Sequence, residues 1–163
     1  MPSTYTPIAT QTLASAAASV TFSSISGTYT DLILIENYAL ASSNSQSVLT
    51  LNGTSSTYSV TNLYGNGSSA VSTRFTGVGG IGSSPGAGDF INTQNVLIRH
   101  IMNYSNTTTY KTVIQRKGDA ADATWATVGL WQSTNAITSL TCTSALGNYS
   151  AGSTFTLYGI KAA

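Results

Sequence analysis

The sequence predicts an all-β fold, a two-sheet antiparallel sandwich of jelly-roll-like type with eight to ten strands. Short runs rich in β-branched and aromatic residues recur along the whole length, and clusters of Gly, Ser, Asn and Thr separate them. No segment keeps a 3.6-residue apolar period, and no fixed-period repeat marks a solenoid. With 163 residues the chain is one ordinary domain, long enough to bury about two thirds of its unfolded surface without disulfides or metals.

Residues 1–18 differ from the rest. Pro2 and Pro7 discourage regular pairing, and an Ala/Ser run follows, so this stretch reads as an extended N-terminal arm, lying on a neighbour or frayed. The sandwich domain is then 19–163. Its expected strands are Ser19–Ile25, Asp31–Tyr38, Ser47–Leu51, Tyr58–Leu63, Ala70–Gly77, Asn95–Tyr104, Tyr110–Lys117, Trp125–Trp131, Ile137–Thr143 and Ser153–Lys161. Turns at Asn52-Gly53, Asn66-Gly67 and Gly147-Asn148 join several of them. Gly77 to Gly88 is a Gly-rich surface loop.

Alternation gives the strands faces. Asp31 to Glu36 is apolar on both faces, which places it centrally, covered by the facing sheet and by something else, such as another subunit. In Trp125–Trp131, Ala126, Val128 and Leu130 share one face, and Trp125, Thr127, Gly129 and Trp131 the other. If the aliphatic face is the core, both tryptophans point outward. The last strand likewise keeps a partly apolar second face, carrying Tyr158 and Ile160.

Charged residues make up only 7% of the chain, against roughly 25% in an average soluble domain. Ser and Thr, 50 of the 163 residues, are the solvating groups instead. A net charge of +1 supplies no field to steer a phosphate backbone, so nucleic acid is not an expected partner. No stretch reaches the roughly 20 apolar residues of a membrane helix, and no secretory signal is visible, so synthesis in a host cytoplasm is expected.

The chemical motifs are weak. Gly77-Val-Gly-Gly-Ile-Gly82 matches a dinucleotide fingerprint by letter, but Pro85 follows where a helix is needed. His100, the only histidine, shares a face with Val96, Ile98 and Met102 and reads as a satisfied or interface residue. Cys142, the only cysteine, reads as a buried small hydrophobe. Asp119 and Asp122 lie too close in one loop for a glycosidase pair; a turn role is favoured, and a weak calcium site is the alternative. One His and one Cys cannot build a four-ligand zinc site. Five Asn-x-Ser/Thr sequons follow from composition. No catalytic residue, metal or cofactor is expected. Trp125, Trp131 and Tyr149 are the candidate contacts, as a subunit interface in the favoured reading and as sugar-stacking platforms in the other.

Two stretches, Val20-Thr-Phe-Ser-Ser-Ile-Ser-Gly-Thr-Tyr-Thr-Asp-Leu-Ile-Leu34 and Tyr149-Ser-Ala-Gly-Ser-Thr-Phe-Thr-Leu-Tyr-Gly-Ile-Lys161, resemble small β-rich virion proteins of tailed bacteriophages, especially marine and cyanobacterial ones. The resemblance covers the two ends and leaves the middle generic. It implies a jelly-roll-like subunit, commonly trimeric, on the particle exterior. The expected role is a capsid decoration, or cement, protein binding its own copies and the major capsid protein; a tail-fibre or glycan-binding receptor module is the alternative. It carries no catalytic residues.

Overall fold

The computed structural model describes residues 4–41, 45–82, 93–119 and 123–161. Eleven strands lie among them: β1 (Tyr5–Thr12), β2 (Ser19–Phe22), β3 (Asp31–Tyr38), β4 (Ser47–Leu51), β5 (Tyr58–Gly65), β6 (Ala70–Val78), β7 (Asn95–Met102), β8 (Lys111–Asp119), β9 (Thr124–Trp131), β10 (Leu140–Ser144) and β11 (Thr154–Ile160). They form an all-β sandwich of two antiparallel sheets. The larger has eight strands in the order β1-β11-β3-β7-β8-β9-β5-β6, and the smaller has three in the order β2-β10-β4.

The strand beyond the ten expected is β1, and it corrects the reading of residues 1–18 as an arm. Residues 5–12 pair with β11 along their length, from Tyr5 opposite Ile160 to Thr12 opposite Thr154. Pro7 is tolerated because β1 is an edge strand, and the register shifts between Pro7 and Ala9, where a bulge absorbs the missing donor. Ala17 continues the attachment by pairing with Tyr149. The boundary at residue 18 therefore does not separate an arm from a domain.

Alternation builds the core. Leu32, Leu34 and Tyr38 of β3, Leu97 and Ile101 of β7, Val113 of β8 and Phe155 and Leu157 of β11 point inward from the large sheet. Val20, Phe22, Leu49, Leu51, Leu140 and Cys142 meet them from the small sheet. Ile81 extends the small sheet beside β4, exchanging backbone bonds with Leu49 at 2.8 and 2.9 Å. The β4–β5 turn has Asn52 and Gly53 both at positive φ, 50° and 65°, the backbone that Asn-Gly favours in tight hairpins. The Asn52 side chain ties that turn to the approach to β10, donating to Ala136 O at 2.8 Å and accepting from Thr138 N at 2.8 Å.

Strand β9 has the faces that the alternation predicted, with the opposite one inward. Trp125, Thr127, Gly129 and Trp131 face the small-sheet side, whereas Ala126 and Val128 are exposed. Gly129 explains the choice. A Cβ there would lie 2.7 Å from two Ile81 side-chain atoms, so the absence of a side chain lets Ile81 press into the large sheet. Thr127, also inward, donates to Asn62 Oδ1 of β5 at 2.7 Å.

Candidate functional site

The three candidate contacts do not form one surface. Trp131 is fully buried, and its Nε1 donates to Thr54 Oγ1 at 2.9 Å. Tyr149 is fully buried as well, packed edge-on against Tyr38 at 5.4 Å and Phe155 at 5.0 Å, with its hydroxyl 2.8 Å from Ser47 Oγ. Both are core residues, and neither can touch a glycan or a neighbour in this fold. Trp125 remains half-buried, opposite Lys117 on one flanking strand and Tyr64 on the other. The Lys117 ammonium lies 3.8 Å from the Trp125 ring centroid, and the Tyr64 ring stacks at 6.2 Å and 26°. Both flanks of the indole are therefore engaged within the chain.

A buried ion pair went unread in the sequence. Glu36 of β3 and Arg99 of β7 both point inward and are completely buried, with Arg99 Nε donating to Glu36 Oε1 at 2.6 Å. Arg99 also donates to Ile81 O at 2.9 Å and Ser47 O at 2.8 Å. Ser47 Oγ donates to the other Glu36 oxygen, and Cys142 Sγ lies 3.5 Å from Oε1. The guanidinium thus joins the large sheet to β4 and to the Ile81 segment. Burial is the largest single influence on Arg99 and would lower its pKa, but Glu36 together with Cys142, Tyr149 and Tyr38 outweighs it, and the net shift is upward. Burial first, then Glu36, pushes Cys142, Tyr38 and Tyr149 well above their ordinary values. These groups stay neutral, and the Cys142 thiolate that nucleophilic chemistry needs is disfavoured.

His100 lies on the outer face with its Nε2 3.0 Å from Asp31 Oδ2, and the other carboxylate oxygen accepts from Asn103 N at 2.6 Å. Of the calcium alternative, Asp119 is the last residue of β8, whereas Asp122 and much of the Gly-rich loop lie outside the described residues. Among the described residues, no group of three or more His, Cys, Asp or Glu stands together, and no helix is long and apolar enough to cross a membrane.

What the strands assemble instead is the outer face of the large sheet. One row across it runs Ile33, His100, Ile114, Val128 and Thr61, ending on Arg74. The next runs Ile35, Ile98, Arg116, Ala126 and Leu63. Leu63 is 58% exposed, Val128 50%, and Ile114 and Val96 46% each. The double apolar face expected of Asp31–Glu36 is one part of this surface, since Ile33 and Ile35 are half-buried outward residues of β3. Strands β7, β8, β9 and β5 extend it. Contiguous aliphatic side chains on a solvent face are a binding signature, because water ordered over them is released on contact. No family model, curated protein or solved structure matches the chain.

Proposed function

We propose that this chain is a structural subunit of a tailed-bacteriophage virion. In this reading it is a capsid decoration protein, trimeric as the resemblance implies, which clamps neighbouring major capsid subunits by binding and carries out no catalysis. The observation that carries the proposal is the exposed aliphatic face of the large sheet. The two stretches that resemble virion proteins lend support, because they contribute adjacent strands, with Leu34 of β3 opposite Leu157 of β11. The sparse charge agrees as well. An uncharged hydroxyl is far cheaper to bury at an interface than an ion, and contacts without ion pairs are insensitive to salt.

Cryo-electron microscopy of particles carrying labelled chain tests the reading. Regular density over the capsid lattice, lost in Ile114→Asp/Val128→Asp, is the expected result. Density confined to the tail tip would overturn decoration and favour the fibre alternative. That alternative has a narrower basis, since Trp131 and Tyr149 are buried and Trp125 is stacked on both flanks.

A further inference from the structure

Open sheets end in strands with one row of unpaired N–H and C=O groups, and folds protect such edges. Three edges here are protected. β1 carries Pro7 and a bulge, Gln11 Nε2 donates to Thr21 O on β2 at 2.7 Å, and β4 is continued by Ile81. β6, the fourth, is the least protected: among the described residues its nine residues pair with β5 alone and contain neither Pro nor Lys, its one charge is Arg74, and its bulge lies only at the far end, at Gly77.

We propose that β6 is a self-pairing edge that joins two copies of this chain, antiparallel across a two-fold axis, into one continuous sheet. The occupant follows from the strand's own sequence. With Thr73 on the axis, Val71 of each copy lies opposite Phe75 of the other, and Thr73 lies opposite Thr73. Aromatic with β-branched and Thr with Thr are favourable cross-strand pairs, and Phe75 and Val71 are half-buried residues that gain cover. On the outer face Arg74 meets Ser72. A register centred on Arg74 would instead set like charges opposite each other. The paired stretch also stops before Gly77, whose φ of 67° marks the bulge where the register with β5 shifts.

The inference goes beyond the proposed function and does not rest on it: a two-fold contact links trimers to one another rather than building them. Analytical ultracentrifugation over a concentration series tests it. The expected mass is an even multiple of the 16.8 kDa chain. N–H direction alternates along a strand, so of Thr73→Pro and Arg74→Pro one removes an outward donor and keeps the β5 bonds. That variant is expected to fold and to halve the mass. As a second readout, Thr73→Cys is expected to form an intermolecular disulfide under mild oxidation much faster than Ser72→Cys. A mass of one or three chains throughout, or equal cross-linking at 72 and 73, overturns the proposal. A mass of two chains that is halved by proline supports the β6 contact while refuting the trimer.

Discussion

Replacing Glu36 by Gln changes little in size but removes the counter-charge of a guanidinium with no solvent exposure. Breaking one side of a buried ion pair costs about 3–5 kcal/mol, against a typical domain stability of about 5–15 kcal/mol. With a urea slope of about 2 kcal/mol/M, the unfolding midpoint falls by roughly 2 M. Arg99→Met costs more, because it orphans Glu36 together with Ile81 O and Ser47 O, and each buried carbonyl left unpaired costs about 1–3 kcal/mol. The double variant Glu36→Gln/Arg99→Met removes the uncompensated charge and leaves the two carbonyls, a loss of about 2–6 kcal/mol. It should therefore be less destabilised than Arg99→Met alone. Urea unfolding followed by tryptophan fluorescence measures all three. A loss below about 1 kcal/mol for Glu36→Gln, or single losses that simply add in the double variant, would refute the pairing as the source of the energy.

Two further predictions follow from the same burial. Trp131→Ala should cost about 3–5 kcal/mol as a core truncation, whereas Trp125→Ala gives up a ring stack and a cation contact worth about 1–2 kcal/mol; denaturant unfolding in which Trp125→Ala is the more damaging would reverse the face given to β9. Tyr38 and Tyr149 are held well above 10.0 and Cys142 well above 9.0, while the unfolded chain ionises at those ordinary values. The folded state therefore binds more protons, and stability present below about pH 9 drains away as pH rises. Circular dichroism with tyrosinate absorbance should show alkaline unfolding, and a stability unchanged between about pH 8 and about pH 11 would contradict it.

Strand positions were legible because alternation and turn chemistry are local. Asp31–Tyr38 and Ser47–Leu51 coincide with β3 and β4, and Asn52-Gly53 adopts the backbone its residues favour. Which face of β9 points inward was not legible, since it depends on Ile81 filling the space above Gly129, a contact between distant parts of the chain. Pro7 misled because proline speaks against interior strands and says little about a bulged edge. The ion pair did leave a trace: Glu36 is in phase with Leu32 and Leu34, and Arg99 with Leu97 and Ile101. In a chain this poor in charge, that phase marks two ionic groups bound for the interior. Of the site candidates, Trp131 and Tyr149 were mistaken for surface because size and amphipathic character suit interfaces and cores equally.

The place of β11 governs when the fold can be completed. It lies between β1 and β3, yet residues 39–153 separate it from β3 in the chain. During synthesis at about 5–20 residues per second, β3 has one side unpaired for roughly ten seconds before its neighbour exists. The large sheet therefore cannot grow outward from its first strands; it has to admit β11 into the interior, between β1 and β3. Loop closure over such a span is slow, and an open β3 edge offers nascent neighbours a template throughout the interval. Translation of Thr154–Ile160 is thus what ends the most aggregation-prone period of β3.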